Sequence, residues 1–408
     1  MKGTRSEKIH VGLLLPEFPM QTHIAWWRVG NAMRQLGAEV RVLSSRRPQR
    51  AFNPHPELAA EAKQTFYAWP PAPLALLRTS LLHPLGVLRA AHYLARLPES
   101  SLLEKLKLFP VFLASVALAR FAEQEKLQLI HVHSCAQSAH LVAMAHEIVG
   151  VPYSLRLGGD LEVYGKDHHA KMKNAVLVVP AAEAYVRRLI DEVGVPEERI
   201  YWTWVGIDTD EFTPAQPHER GPSTCLRLTT VARLSQTKGH LDVLEALSGL
   251  RRRGLDFRWT LAGTGPFEEE IRQRAAELGL TDQIDFRGSL SQTEVVELLR
   301  QTDVFILASY GLGEGTPAAV CEAMSCGVPI LSTRIGGTMD MIHDGVDGLL
   351  IDQHDVEGLE RGLHALATDE ATRARMARAA RANARKFDIR EVAREILVRS
   401  GVEMEVPE

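Results

Sequence analysis

The sequence has neither a marked excess of charge of one sign nor many cysteines. Its 408 residues include 47 lysines and arginines and 51 aspartates and glutamates, which give a formal net charge of -4. Such a balance does not indicate nucleic acid as a partner bound by bulk charge. The four cysteines have no metal-like pairing and indicate reduced thiols in a cytosolic protein: Cys135, Cys225, Cys321 and Cys326.

The sequence also lacks a stretch that would cross a membrane. No uncharged apolar run approaches the roughly 18 residues that a spanning helix requires. The N-terminal residues lead into a short strand and do not resemble the apolar core of a signal peptide, so we expect a cytoplasmic protein. With 408 residues, of which 45% are hydrophobic, the chain is long enough for two domains that each bury a core.

Apolar runs alternate with helical patterns along the first half of the chain. A strand at Ile9–Leu15, a helix at about His23–Leu36 and a strand at Glu39–Leu43 open the series. The turn after the first strand lacks the G-x-G-x-x-G pattern, which argues against a dinucleotide-binding Rossmann domain. The proline-rich residues 46–73 are predicted to be irregular. Further strands are predicted at Gln128–His133, Tyr153–Leu157, Ala175–Val179 and Ile200–Trp204.

A second alternation begins at Leu226, with helices between its strands. The predicted strands are Leu226–Val231, Arg258–Leu261, Ile284–Phe286, Val304–Leu307, Pro329–Ser332 and Leu349–Ile351. The pattern predicts an α/β fold of two doubly wound, Rossmann-like domains with parallel sheets. Such domains bind ligands at the carboxyl ends of their strands, so we expect the domains to face each other across a ligand-binding cleft.

Composition and periodicity divide the chain into four predicted parts. Residues 1–213 form an N-terminal α/β domain, and residues 214–222, rich in proline and polar side chains, form a linker. Residues 223–385 form a C-terminal α/β domain. Residues 386–408 carry a last helix with no strand after it, which we expect to pack back on the N-terminal domain.

Residues 74–124 are helical in pattern and strongly apolar. Six basic residues outnumber three acidic residues there, and Leu108–Ala119 carries no charge. Two interpretations fit this pattern: a helix pair that covers the sheet, or a basic amphipathic face that lies against a membrane. The second interpretation requires arginines at the rim of an exposed apolar stripe, and it would place the protein at the inner face of the cell membrane.

The most informative stretch follows the predicted strand at residues 304–308. Glu314 lies in the next loop, and a helix then begins with Thr316 as its N-cap and Pro317 in its first position. Glu322 falls about one turn into this helix. N–H groups at a helix start attract phosphate, and ionised carboxylates accept hydrogen bonds from hydroxyls. The stretch therefore suits a sugar nucleotide, although an ordinary strand–loop–helix with two solvated glutamates would give the same pattern.

A basic turn follows the predicted strand at Leu226–Val231. It contains Arg233, which can grip a phosphate with two parallel hydrogen bonds, and Lys238, which adds a compact charge. On a diphosphate the pair would neutralise the charge that grows as the sugar–phosphate bond breaks. Gly288 ends a later strand and could line a base pocket, and Gly336–Gly337 allow a ligand to approach closely. Taken alone, the basic turn also fits a solvated loop.

The N-terminal half offers polar candidates near strand ends. His131 and His133 share one face of a predicted strand, and a His-x-His pair can bind a metal ion. No third ligand is evident, so a substrate-facing role for His133 is favoured over a metal site. The sequence shows no Ser-His-Asp or Cys-His arrangement that would supply a nucleophile.

The order of these motifs resembles that of the retaining glycosyltransferases of family 4, which have the GT-B fold. The residues that carry the resemblance are Arg233, Lys238, Glu314, Glu322, Gly336 and Gly337. It covers Leu226–Ile351, and the N-terminal half matches more loosely. Pro16–Pro19 replaces the commoner glycine-rich first loop and resembles the branch that builds exopolysaccharides and colanic-acid-like glycans.

The resemblance implies that the C-terminal domain binds a nucleotide-diphosphate sugar and that the enzyme moves the sugar to a glycan or lipid-linked glycan acceptor. It implies that Arg233 and Lys238 contact the diphosphate and that Glu314, catalytic with them, holds the sugar hydroxyls. Glu322 would hold the ribose, and the basic pair replaces a metal ion, so neither a metal nor another cofactor is implied. The remaining candidate residues are Gly315, Thr316, Ala318 and Gly288 around the donor, and Asp160, His133 and Gln21 on the acceptor side or facing the sugar.

In this family the sugar keeps its anomeric configuration without a side-chain nucleophile, and domain closure excludes water. Two departures bear on the sugar and the acceptor: Leu157 occupies the position of a family histidine, and Met339-Asp340 replaces the usual Pro-Glu. Two alternatives stay open. The protein could be a non-catalytic relative that binds a nucleotide sugar or glycan as a scaffold, or a sugar-nucleotide epimerase of the same architecture.

Overall fold

The computed structural model describes residues 9–20, 23–48, 56–216, 225–312 and 315–402. The chain divides into two compact units. The first unit combines Met1–Gly206 with Ile389–Glu408, and the second unit comprises Ile207–Asp388. Residues 217–224, which include most of the predicted linker, lie outside the described residues.

The described strands and helices alternate along both units. The strands are β1 (His10–Glu17), β2 (Glu39–Arg46), β3 (Phe66–Trp69), β4 (Leu129–His133), β5 (Tyr153–Leu157), β6 (Leu177–Pro180), β7 (Leu226–Val231), β8 (Phe257–Ala262), β9 (Ile284–Gly288), β10 (Val304–Leu307), β11 (Ile330–Thr333) and β12 (Gly348–Ile351). The helices are α1 (Ile24–Gln35), α2 (Pro56–Gln64), α3 (Pro73–Leu82), α4 (Pro84–Ala95), α5 (Leu102–Lys107), α6 (Phe109–Gln124), α7 (Gln137–Val149), α8 (His168–Met172), α9 (Ala184–Arg188), α10 (His240–Arg252), α11 (Glu268–Glu277), α12 (Gln292–Arg300), α13 (Ala318–Ser325), α14 (Thr338–Met341), α15 (Val356–Thr368), α16 (Glu370–Asn383) and α17 (Ile389–Arg399).

The described strands of the first unit form a parallel sheet in the order β3-β2-β1-β4-β5-β6. Those of the second unit form a parallel sheet in the order β12-β11-β10-β7-β8-β9. In each sheet the winding direction reverses at one point, between β1 and β4 or between β7 and β10. Doubly wound sheets bind ligands beside such a switch point, at the carboxyl ends of the strands. The prediction of two doubly wound parallel sheets is confirmed.

The central strands are apolar because helices cover both faces of a doubly wound sheet. All four residues of β10 are buried, as are all five residues of β5. The last helix, α17, belongs to the first unit, where it contacts α1. Its buried stripe consists of Ile389, Val392, Ala393, Ile396 and Leu397.

Three local predictions are wrong. Residues 46–73 contain helix α2 and the edge strand β3, whose β-prone residues are hidden in the sequence by the prolines that follow them. Residues 200–204 form no named strand, and Ile200 makes only an isolated bridge to Val178. Pro317 has an extended backbone, with φ −69° and ψ 109°, so it is the N-cap of α13 and Thr316 lies before the cap.

Candidate active site

The turn after β7 carries the two predicted phosphate ligands. Arg233 is exposed, and Lys238 is half-buried at the end of a short 3-10 turn. Gly239 closes this turn in the left-handed conformation, with φ 68°, which a glycine adopts without strain. The structure therefore brings both cations to one strand end, directly beside the switch point between β7 and β10.

Glycines allow the neighbouring turns to approach this basic turn closely. A Cβ atom at Gly263 or at Gly265, both after β8, would overlap a backbone carbonyl oxygen of the basic turn. A Cβ atom at Gly239 would overlap the carbonyl oxygen of Ala308, after β10. Gly263 N also donates a hydrogen bond to the carbonyl oxygen of Gly288, at 2.6 Å, which ties in the end of β9. The close approach of these turns therefore requires glycine at positions 239, 263 and 265.

Backbone hydrogen bonds connect the remaining strand-end loops. Tyr310 N, after β10, donates to the carbonyl oxygen of Thr237 in the basic turn, at 2.9 Å. Gly337 N, after β11, donates to the carbonyl oxygen of Gly315, at 3.0 Å. The loops after β7, β8, β9, β10 and β11 therefore form one edge of the sheet that is held together by backbone hydrogen bonds and close glycine contacts.

Helix α13, which follows the loop after β10, carries the second predicted carboxylate. Gly315 is buried and Thr316 half-buried just before the helix, while Ala318 begins it and Glu322 is half-buried in its second turn. No side chain of the described residues caps the helix start, so its first N–H groups are available to an anion. Glu314 lies outside the described residues, and its place in the site stays a prediction.

Arg381 fixes the far end of α13. Its Nη1 atom donates to the carbonyl oxygens of Ser325, at 2.9 Å, and of Phe212, at 3.0 Å. Charge-assisted hydrogen bonds of this kind are stronger than neutral ones. The helix that carries Glu322 is therefore anchored at its C-terminal end by a side chain that the sequence did not single out.

In the first unit, His133 ends β4 beside the other switch point. Its ring stacks on that of Trp26 with centroids 3.7 Å apart, and the edge of His23 approaches at 6.0 Å. Burial lowers the pKa of His133 well below its ordinary value, and the charges of His23 and Arg156 lower it further. Among the described residues the Nδ1 atom has no hydrogen-bond partner. His133 is therefore a neutral imidazole that can exchange one hydrogen bond with a hydroxyl.

Arg156 in β5 is a neighbour of His133 that sequence reasoning missed. It pairs with His133 in the sheet register, it is fully buried, and its guanidinium lies 4.9 Å from the ring centroid of Trp26. A lone arginine in an otherwise apolar strand was the available signal. The next residue, Leu157, is buried in the core and supplies no polar contact in place of the family histidine.

The other acceptor-side predictions have mixed outcomes in the structure. Asp160 is half-buried and lies three residues after the end of β5. Because β5 pairs with β4, which ends at His133, the two residues lie at adjacent strand ends. Gln21 lies outside the described residues. His131 is fully buried, with Nδ1 2.8 Å from the Ser154 hydroxyl, and burial lowers its pKa to about 3. Its environment is that of a core histidine.

The residues that the structure describes form neither a metal-binding cluster nor a membrane-spanning helix. No group of three or more His, Cys, Asp or Glu side chains in that part of the chain could hold a metal ion. That the reaction needs no metal stays a prediction. Among the same residues, no helix is both long enough and apolar enough to cross a bilayer.

Solved structures identify the class of fold. A glycosyltransferase from Rickettsia africae ESF-5 superposes with a TM-score of 0.71 and 17% identity, over 97% of this chain and 98% of that one. Anabaena HepE, solved in complex with UDP, gives a TM-score of 0.73 and 18% identity, over 96% and 98%. Together with the two doubly wound sheets, these similarities establish the GT-B fold.

The sequence comparisons relate part of the chain to a known family. Residues 218–383 match the family of glycosyl transferases group 1. WcaL of Escherichia coli K12, which is assigned as a colanic acid biosynthesis glycosyltransferase, is 31% identical over 52% of this chain and 53% of its own length. The amylovoran biosynthesis glycosyltransferase AmsK of Erwinia amylovora is 31% identical over 54% and 55%.

The chain spans about half the length of these curated relatives. Residues 218–383 are a glycosyl transferases group 1 domain, and the chain is related to glycosyltransferases of exopolysaccharide synthesis. The resemblance predicted from the order of the motifs is confirmed.

Proposed function

We propose that the protein moves a sugar from a nucleotide-diphosphate sugar to a glycan or lipid-linked glycan, with retention of the anomeric configuration. The observation that carries the proposal is the single edge formed by the loops after β7 to β11, with Arg233 and Lys238 beside the switch point. The names of WcaL and AmsK support a product in the exopolysaccharide class.

The donor half of the mechanism is electrostatic. The diphosphate binds where the loop after β10 is hydrogen-bonded to the basic turn, between the cations and the first N–H groups of α13. Arg233 and Lys238 neutralise the charge that develops on the leaving diphosphate as the bond to the sugar breaks. Glu314 accepts hydrogen bonds from the sugar hydroxyls and Glu322 from the ribose hydroxyls.

The acceptor half uses neutral groups of the first unit. His133 is uncharged because burial depresses its pKa, so it orients a hydroxyl without attracting a phosphate. Asp160 accepts a hydrogen bond at the adjacent strand end. The acceptor oxygen attacks from the face that the diphosphate leaves, so the reaction needs no side-chain nucleophile.

A thermal-shift panel of UDP, GDP, ADP and their sugars tests the donor site. The nucleotide that fits stabilises the protein by mass action, by about 2.7 kcal/mol at a concentration of 100 Kd. UDP is the first candidate, because HepE was solved with UDP and with UDP-glucose. We expect Lys238→Ala to reduce the shift strongly, while Arg375→Ala, which removes an exposed arginine from α16, leaves it unchanged.

The outcomes separate the proposal from its alternatives. Equal shifts in both variants, or no shift with any nucleotide, would contradict the donor site. Binding without release of nucleotide diphosphate, across a panel of glycan acceptors, would favour a scaffold. Conversion of the bound nucleotide sugar into an isomer without any acceptor would favour an epimerase.

A further inference from the structure

The first unit exposes an unusual amount of apolar surface on consecutive helices. Of 16 exposed large hydrophobic side chains among the described residues, ten lie between residues 74 and 109, and each is 52% to 75% exposed. Monomeric proteins rarely expose contiguous apolar patches larger than a few hundred square ångströms. We name these ten residues the leucine face: Leu74, Leu77, Leu81, Leu82, Leu85, Leu88, Leu102, Leu103, Leu106 and Phe109.

Helix α3 has a clear inside and outside. Thr79 is buried, and Leu76 packs against the core of the first unit. Leu74, Leu77 and Leu81 follow one another at helical spacing on the opposite side and are 56%, 58% and 71% exposed. The leucines of α3 are therefore divided between a core side and a solvent side, and only one side is needed to cover the sheet.

Helix α4 also has a buried side and an exposed side. Gly86 and Ala90 are buried, and a Cβ atom at Gly86 would overlap the backbone of Ile148, at the end of α7. Because this close contact sets the rotation of α4, Leu85 and Leu88 point away from α7 and are 70% and 65% exposed. A rotation that buried them would separate the two helix backbones.

Helix α5 has no role in the core. None of its residues is buried, and its three leucines are 61% to 75% exposed. Its N-terminus is nevertheless well defined by a capping box, in which Ser101 and Glu104 bond each other's backbone N–H groups. Packing within the chain does not explain a helix of this composition, so its apolar residues suit a surface outside the chain.

The charge around the leucine face is mostly basic, and Glu104, the one acidic residue within α5, is paired with Lys166 at 2.9 Å. Residues 62–98 contain no aspartate or glutamate, and their charged residues are Lys63, Arg78, Arg89 and Arg96. Arg78 and Arg96 are exposed on α3 and just after α4, next to exposed leucines. Two copies of such a face would bring like charges together, whereas a surface that is apolar inside and anionic outside would complement it.

A shallow cavity of about 820 Å³ beside α4 is lined both by residues of the leucine face and by basic side chains. Its lining includes Leu85 and Leu88 of the leucine face, three basic residues and one acidic residue: Arg89, Arg96, Lys173 and Glu147. Arg89 also donates two hydrogen bonds to the carbonyl oxygen of Glu147, so it has a structural role as well. The cavity places apolar and cationic side chains side by side, as an interfacial headgroup region requires.

We propose that the leucine face docks the protein on a membrane surface that contains anionic phospholipid. Helices α3, α4 and α5 lie in the plane of the interface, with their leucines among the acyl chains and their arginines among the headgroups. The proposal does not rest on the proposed sugar transfer. It decides between the two interpretations of residues 74–124 in favour of the membrane-facing one for the outer side of these helices.

Vesicle flotation tests the proposal with the full chain. Phosphatidylcholine vesicles with and without phosphatidylglycerol serve as probes. We expect binding to the anionic vesicles only, with a further loss at high salt. The double variant Leu102→Glu and Leu106→Glu should reduce binding by about tenfold or more, and each arginine removed in Arg78→Gln and Arg96→Gln should weaken it about fivefold.

Matched controls separate these effects from general changes of surface. Val398→Glu places a charge on an exposed apolar residue of α17, and Arg375→Gln removes an exposed arginine of α16; both should bind as the wild type does. Wild-type protein that does not float with anionic vesicles overturns the proposal. So does a stable dimer that the double glutamate variant converts to a monomer without any vesicle binding.

The nucleotide thermal shift of the double glutamate variant keeps the two proposals apart. A normal shift with lost flotation supports the membrane surface alone. Equal flotation of the variant and the wild type overturns the membrane surface, whatever nucleotide is bound.

Discussion

The two units share one sheet order and differ in the outer surface of their helices. In the second unit, α10 buries most of its apolar side chains, which include Val243, Leu244, Leu247 and Leu250. In the first unit, α3, α4 and α5 turn nine leucines outward, and Phe109 follows them at the start of α6. Since one side of each helix suffices to cover a sheet, the difference shows that the first unit carries apolar surface beyond the needs of its own core.

The two switch points differ as well. At the switch point of the second unit, Arg233 and Lys238 lie on a turn that neighbouring glycine turns approach closely, a cationic setting suited to an anion. At that of the first unit, the imidazole of His133 stacks on Trp26, and burial keeps it neutral. The same topology thus presents a cationic edge in one unit and a neutral, aromatic one in the other, which suits a diphosphate and a sugar hydroxyl respectively.

The largest loss of stability is expected from a substitution that disrupts the close-packed turns at the edge of the second unit. Gly239→Ala should cost more than about 5 kcal/mol of stability, because the added Cβ atom would overlap the backbone carbonyl of Ala308, which cannot move aside as a side chain can. Urea unfolding followed by pulse proteolysis would measure the loss in each unit separately.

Gly254→Ala is the matched control for this prediction. Gly254 has φ 76°, close to the φ of 68° at Gly239, and no atom lies within 4 Å of a Cβ atom placed there. Its substitution should cost only the strain of the left-handed conformation, about 1 kcal/mol. Equal losses in the two variants would show that backbone strain, and not the contact between turns, makes glycine necessary.

A smaller effect is expected at low pH, where the first unit should lose more stability than the second. Among the described residues, histidines whose pKa is lowered by burial number five in the first unit and one in the second: His23, His131, His133, His140 and His168, and His240. Burial lowers the pKa of His131 and His140 to about 3 and that of His240 to about 4.

The sign of the effect follows from proton binding. Below pH 6.5 the unfolded chain protonates these imidazoles while the folded protein does not, so stability falls with pH until the folded pKa is reached. At pH 5 each of His131, His140 and His240 costs about 2 kcal/mol relative to pH 7, because their folded pKa values lie at about 3 to 4. His131 and His140 in the first unit against His240 in the second therefore predict an extra loss of at least about 2 kcal/mol in the first unit, and the strongly lowered pKa of His133 adds to it.

Pulse proteolysis at pH 7 and pH 5, with fragments assigned by mass spectrometry, would measure this difference. His140→Gln should reduce the acid sensitivity of the first unit, whereas His92→Gln, at an exposed position of α4, should not change it. A second unit that loses as much stability as the first would contradict the prediction.

The architecture could be predicted from the sequence because buried strands and the helices between them leave alternating hydrophobic patterns along the chain. The bounds predicted for β5 and β10 agree with the structure, since β10 is an apolar run and β5 alternates apolar and polar residues before a Gly-Gly turn. Strand β3 was missed because an edge strand needs no apolar run and lies among prolines. Residues 200–204 were wrongly predicted as a strand because they are β-prone, although no strand pairs with them along their length.

The site residues could be predicted where reactive or charged side chains directly follow a predicted strand. Arg233 and Lys238 follow a strand directly, so topology alone brings them to the switch point. The anchoring role of Arg381 could not be predicted, because it depends on contacts between α16, α13 and residues 209–212 that no local pattern encodes. Arg156 left a signal in the strand itself, but its contact with Trp26 depends on the packing of α1.

The smallest expected effect compares one local motif in the two units. Ser101 caps α5 in the first unit and Ser291 caps α12 in the second, each in a complete capping box. Ser291→Ala should cost about 1 kcal/mol of global stability, because α12 buries three residues and its fraying exposes core. Ser101→Ala should leave global stability unchanged, since α5 buries none.

Hydrogen exchange would show where the cost of each substitution appears. In Ser101→Ala we expect faster exchange confined to the first turn of α5, through local opening that does not involve the core. In Ser291→Ala the loss should extend to the strands next to α12. If Ser101→Ala lowered the urea midpoint as far as Ser291→Ala, α5 would have to pack on the core, and its leucines would no longer be free to bind a surface outside the chain.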